Sequence, residues 1–276
     1  MPGSRMPRLA RALGLAICLP ICSLGQNAPA SIPAPLKLDE ILTKMAAREE
    51  ARLANLEFYT SIRQYKLENI RFGATAGLEV RMRYKRPGVK TFELLSGSGS
   101  SVLRSRVLER MIKAELEAAQ PSIHGSTQIT PDNYRFKLAG MEDRNGRPCY
   151  LLEAVPIVAT KFLFRGKVCV DAEEFAVARI EASPALNPSF WIRKTVFVHE
   201  YRKFGPHWLP VLNRSDTQAR LFGRTAVSLA YNDYKINEVE SSGDPRKGLG
   251  MITLDGAGGA ADDWRPQPAA DHANSN

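Results

Sequence analysis

The residues of this chain that could do chemistry are its histidines, cysteines, serine-glycine run and paired acids. His124, His199, His207 and His272 are scattered, and none stands in an HExxH arrangement. His199 and Glu200 are neighbours in a strand-like stretch, where period two sends their side chains to opposite faces. The run Ser96–Ser101 has neither the GxSxG elbow of a serine nucleophile nor the lysine of a phosphate-binding loop, and it reads as a flexible hinge. The acidic pairs Glu142-Asp143 and Glu173-Glu174 fall in turns, where solvated charge is usual. Asn213-Arg214-Ser215 matches a glycosylation acceptor, a pattern too short to weigh. No enzyme, cofactor or metal site is expected from these residues.

The N-terminus reads as an address. Arg5, Arg8 and Arg11 precede a short apolar run, Leu13–Ile21, and Ser23-Leu24-Gly25 supplies small residues for cleavage after Gly25. Residues 1–25 are therefore read as a signal peptide and 26–36 as a flexible lead-in. The apolar run is too short to span a membrane as a helix. Lipid anchoring at Cys22 is the weaker reading, because Ile21 stands where a lipoprotein signal needs a small residue. The expected location is the periplasm. Removing the signal takes away three arginines and no acid, so the net charge falls from +9 to +6. The densest basic cluster, Arg81–Lys90, reads as a solvated strand face, with attraction to anionic headgroups or an acidic partner as the functional alternative. Export and the lack of a nucleic-acid-binding motif argue against nucleic acid.

The elements that must position everything else are mostly strands. One helix is expected from about Leu38 to Leu56, with Leu38, Ile41, Leu42 and Met45 near one face, and a second from about Val102 to Ala119. Alternation marks strands over Glu57–Ile70, Leu78–Tyr84, Val89–Leu95 and Tyr134–Leu138. Asn145-Gly146 turns the chain into Cys149–Ile157. Long strands follow over Phe190–Phe204, Trp208–Arg220 and Thr225–Ile236. From about residue 239 the composition shifts to Gly, Ala, Asp and Ser; this tail reads as mostly disordered, with Leu249–Leu254 the stretch able to dock. About ten strands and two helices describe a mainly β (α+β) protein over residues 37–238. Its expected form is a curved antiparallel sheet, an incomplete barrel covered by about two helices.

The central hairpin is Arg165–Ala182, turning at Asp171–Glu174. Its second strand sets Ala176, Ala178 and Ile180 against Val177, Arg179 and Glu181. With Cys18 and Cys22 leaving in the signal, Cys149 and Cys169 are an even pair in an oxidising compartment. If Cys149–Ile157 pairs with Lys161–Cys169 around Val158–Thr160, Cys149 faces Cys169, Glu153 faces Arg165 and Tyr150 faces Val168. That register favours a disulfide over two free thiols. It also turns Tyr150, Leu152, Phe162, Phe164, Val168 and Val170 to one uncharged face, the candidate lining of a ligand cavity. Between Trp191 and Tyr201 both faces are apolar, so that strand is either covered twice or borders a cavity.

Two sets of residues carry a family resemblance. Arg165-Gly166-Lys167-Val168-Cys169-Val170-Asp171, followed by Ala178-Arg179-Ile180-Glu181, resembles the G-x-[VI]-x-[VI]-D turn and R-I-E strand of the LolA/LolB-like superfamily, which includes the RseB/MucB sensors. Trp208-Leu209-Pro210 and Tyr231–Asn237 resemble its later strands. The resemblance implies a LolA-like half-barrel with an apolar cavity for acyl chains. The expected function is that of a monomeric periplasmic carrier or binder of lipoproteins or other acylated lipids, related to outer-membrane lipoprotein sorting, with an inner- or outer-membrane protein as a possible partner. The alternative is an RseB-like envelope-stress sensor or scaffold that binds another protein.

Overall fold

The computed structural model describes residues 36–187, 190–238 and 248–252, so the expected signal peptide, most of the lead-in and most of the tail lie outside the described residues. Strands β1 (Phe58–Asn69), β2 (Ala74–Lys85) and β3 (Val89–Gly99) follow helix α1 (Leu38–Asn55). Helix α2 then runs through Ser101–Leu103, a π turn at Arg104–Leu108, and Glu109–Ala118. A short helix, α3 (Pro121–His124), leads to β4 (Tyr134–Arg144), β5 (Arg147–Pro156), β6 (Phe164–Asp171) and β7 (Val177–Pro184). The long strands β8 (Ile192–Phe204), β9 (His207–Ala219) and β10 (Gly223–Ile236) come next, and β11 (Gly250–Ile252) closes the order.

Among the described residues the eleven strands form one antiparallel sheet in the order β11-β3-β2-β1-β10-β9-β8-β7-β6-β5-β4. The chain starts near the middle, meanders out to β3, and returns through the other edge until β10 pairs with β1. The edges β11 and β4 do not meet, so the curved sheet is an incomplete barrel, as expected. In the tail, Gly250–Ile252 docks on Phe92–Leu94 of β3.

Helices α1 and α2 each cover one half of the concave face. Leu108 and Ile112 of α2 are fully buried on a core that includes Tyr65, Leu78, Val80, Met82, Phe92 and Leu229. Ile41 and Met45 of α1 are buried on a second core with Tyr150, Leu152, Val168, Val170 and Ile180. This is the i, i+4 stripe read from the sequence. The far end of α1 is tied down by polar contacts: Arg48 donates to Glu174 at 3.3 Å and Arg86 donates to the Ala54 carbonyl at 2.8 Å.

The Ser96–Ser101 run is not a hinge. Ser96–Gly99 is the end of β3, paired with β2, and Ser100 caps α2 by accepting from the Leu103 N–H at 3.3 Å. Its glycines serve close approach. A Cβ on Gly97 would meet the Arg104 side chain at 3.0 Å, and one on Gly99, at φ +66°, would strike the Thr75 carbonyl.

The register of β5 with β6 also differs from the expectation, by two residues. Cys149 lies opposite Asp171, Leu151 opposite Cys169 and Glu153 opposite Lys167. The disulfide Cys149–Cys169 is nevertheless formed, as a diagonal pair with a Cα–Cα distance of 5.6 Å. A shift of two preserves the faces, so the apolar positions stayed together. Contacts at the Asp171 turn hold the observed register. Asp171 is buried and accepts two bonds from Arg147, at 2.7 and 2.9 Å, and the N–H groups of Glu173 and Glu174. Thus β6 runs to Asp171 before turning. A bulge opposite Cys169/Val170 then places Val177, not Ala176 or Ala178, opposite Val170.

Candidate functional site

A row of inward residues crosses the concave face. Ala76 of β2 pairs with Leu67 of β1, Leu67 with Val227 of β10, Val227 with Ser215 of β9, and Ser215 with Phe197 of β8. It continues through Ala182 and Gly166 to Ala154. Ser215, between Val227 and Phe197, and Ala182 and Gly166 beyond Phe197 are small, and a Cβ on Gly166 would collide with Ala182. A groove of about 710 Å³ lies over Leu67, Ala76, Phe197, Ser215 and Val227, flanked by their strand neighbours. That size falls within the range of small-molecule sites, roughly 300–1,000 Å³.

The next inward row holds Tyr65, Leu229, Asn213, His199, Ile180 and Val168. Apolar side chains thus stand at both flanks, and a small polar strip (His199, Asn213, Ser215 and the Thr195–Thr217 hydroxyl pair at 3.1 Å) runs between them. Burial lowers the His199 pKa to about 4, so the ring is neutral at pH 7, and it lies 4.9 Å from the Phe197 ring. Glu200 is on the other face, bonded by Arg179 at 2.6 Å, as period two requires. His124 sits in α3 beside Gln128 at 3.1 Å, and His207 starts β9. Among the described residues no three His, Cys, Asp or Glu side chains gather as metal ligands.

Of the six residues expected to share a face, five do. Tyr150, Leu152, Val168 and Val170 are fully buried in the core under α1, and Phe164 is buried beside them. They are packed, and the open groove lies beyond them toward β1 and β10. The two regions touch where the Phe164 ring meets Phe197 edge-on at 6.1 Å. Phe162 is a correction. Strand β6 begins at Phe164, the chain turns over Lys161-Phe162, and Leu163 takes the buried position instead. The Phe162 ring is half-buried under the Lys161 ammonium, 4.9 Å away. Missing from the sequence reading were Leu67, Ser215 and Val227; only the double-faced apolar character around Phe197 signalled a cavity wall.

A buried charge stands on the concave face under α2. Arg63, facing inward on β1, is 2% exposed and donates to Glu115 of α2 at 2.6 Å; Lys90 reaches the same carboxylate at 2.7 Å. Burial alone would raise the Glu115 pKa, but the two cations outweigh it and hold the carboxyl well below the usual carboxylate range. The Arg63 guanidinium also lies over the Phe92 and Tyr231 rings, at 5.1 and 4.9 Å.

No family model matches the chain, and no curated protein does. Solved structures do. A putative outer membrane lipoprotein-sorting protein domain from Vibrio parahaemolyticus is 12% identical, over 74% of this chain and 95% of that one, with a TM-score of 0.40. A LolA superfamily protein from Nitrosomonas europaea is 13% identical, over 75% and 96%, with a TM-score of 0.43. A DUF1329 family protein from Desulfovibrio piger is 10% identical, over 74% and 94%, with a TM-score of 0.42. These likenesses are of fold alone.

Proposed function

We propose that the protein is a periplasmic binder and carrier of lipidated or acylated molecules, held in the groove over β8, β9, β10, β1 and β2. The observation that carries this reading is the groove along the inward row Ala76–Leu67–Val227–Ser215–Phe197, where the small Ser215 makes room between Val227 and Phe197. An acyl chain laid along Leu67, Val227 and Phe197 would bury apolar surface worth roughly 25 cal/mol per Å². The strip of His199, Asn213 and Ser215 would meet the polar part of an amphiphile, with His199 neutral and able to donate or accept. Tyr150, Leu152, Phe164, Val168 and Val170 form the apolar flank that the end of a chain reaches past Phe197.

The test is uptake of a fluorescent fatty acid by the purified protein. Ser215→Phe fills the groove without burying a charge and should abolish uptake with the fold intact. Arg165→Glu, exposed on the convex face, should leave uptake unchanged. Equal uptake by the parent and Ser215→Phe, or none by the parent, would remove the groove from the reading and favour a protein-binding role.

A further inference from the structure

The groove lies near one end of the half-barrel, and that end differs from the rest of the surface. Leu67 is two residues from the end of β1, and Val227 is four from the start of β10. The β1–β2 turn, the β9–β10 turn and the loop entering β8 all sit at this end. They touch in sequence. The Ile70 N–H donates to the Arg224 carbonyl at 2.9 Å, the Arg71 guanidinium to the Leu221 carbonyl at 3.0 Å, and the Arg220 N–H to the Trp191 carbonyl at 2.8 Å. The three tips carry Ile70, Phe72, Phe190, Trp191, Leu221 and Phe222, each 50–73% exposed. These include all four exposed aromatic side chains among the described residues, which scatter does not explain.

The charge on the three tips has one sign. Residues 70–73, 190–194 and 220–224 contain Arg71, Arg193, Lys194, Arg220 and Arg224 and no acid. Of the acids on the adjoining strands, Glu68 of β1 and Asp216 of β9, Asp216 is engaged by Arg224 at 2.5 Å. The Arg220 guanidinium stacks 4.6 Å from the Phe190 ring, so cation and ring are offered together.

We propose that this end of the half-barrel docks on an anionic phospholipid bilayer. Phenyl, indole and leucine side chains on separate tips enter the headgroup boundary, and the arginines meet lipid phosphates. The tips are short and individually exposed. They suit a yielding surface, which fills the spaces between them, better than a rigid complementary one. The docked orientation turns the groove's near end toward the lipid. Docking does not depend on what the groove holds.

The experiment is flotation of the purified full chain with phosphatidylglycerol/phosphatidylethanolamine vesicles, with phosphatidylcholine vesicles as the neutral comparison. The parent should float with the anionic vesicles and bind neutral ones at least about tenfold more weakly, with raised salt weakening the anionic case. Phe72→Ser with Phe222→Ser, both on exposed turns, should lower anionic-vesicle affinity about tenfold or more. Val89→Ser, exposed on the β2–β3 turn at the opposite end of the half-barrel, should leave it unchanged. The tip variant should still take up the fluorescent fatty acid from solution, which separates docking from groove binding. A parent that stays at the bottom of the gradient, or a tip variant that floats like the parent, overturns the proposal and points to a protein at these tips instead.

Discussion

Arg63 and Glu115, 52 residues apart in sequence, form an ion pair of 2.6 Å that joins the inward face of β1 to the underside of α2. The arginine is buried, so removing its partner leaves a charge with no adequate compensation. Glu115→Gln should cost about 3–5 kcal/mol in urea unfolding. Replacing both residues with leucine should cost clearly less than the sum of the single changes. Additive single effects would show that the pair is not coupled.

Much of the fold was legible because alternation survives a shift of two. The strands from Phe58 to Ile236 and the two helices follow from periodicity, and the faces of Tyr150, Leu152, Val168 and Val170 were right although their register was not. What was not legible needed distant partners. Arg63 in a strand reads as solvent-facing until Glu115 and Lys90 are brought above it. Ser215 reads as an ordinary surface position until it is placed between Val227 and Phe197, where its small size makes room. Phe162 has the parity of Phe164 but lies before the strand begins, and parity has no meaning in a turn.

The diagonal disulfide gives a direct check. Non-reducing peptide mapping should join Cys149 to Cys169. Replacing both with alanine should lower stability by on the order of 3 kcal/mol, the loop-closure value for about twenty residues. Complete alkylation of both thiols without reduction would defeat it.

Tyr150 is fully buried in the core under α1, and its hydroxyl has no hydrogen-bond partner among the described residues. The desolvation of that group opposes folding, while its ring stacks on Phe175 at 6.2 Å. Tyr150→Phe should therefore be neutral or stabilising by about 1 kcal/mol in urea unfolding. A loss of that size would mean that the hydroxyl is satisfied.

Stability should fall on mild acidification. Burial holds His199 neutral with a pKa of about 4 in the folded protein, below its ordinary 6.5. The unfolded chain therefore takes up the proton first. The folded state loses stability as pH falls through 6.5 toward 4, by on the order of 2 kcal/mol, and is unaffected by this group above pH 7. His207 is lowered too, by burial and then by Arg48 and Arg52, and acts in the same direction. His199→Gln should flatten most of the slope between pH 6.5 and 4, and an unchanged slope would assign it elsewhere.

Shortening Leu152 separates a core that only packs from one that an acyl chain can enter. Leu152 and Val168 are cross-strand neighbours with no exposure, lying in the core with Ile41 of α1. Phe164, in the same cluster, touches Phe197 at the groove edge. A chain lying in the groove and passing Phe197 would end against this cluster, so the volume there would limit its length. Leu152→Ala should cost about 2–5 kcal/mol by opening a cavity. That cavity should let longer chains in, shifting uptake from a dodecanoyl toward an octadecanoyl probe relative to the parent. Arg165→Glu, facing outward one position from Phe164, should change neither quantity appreciably. Circular dichroism would show that each variant is folded before uptake is compared. If Leu152→Ala loses stability while its chain-length preference matches the parent, the cluster is packing, and the ligand is confined to the groove over β8–β10.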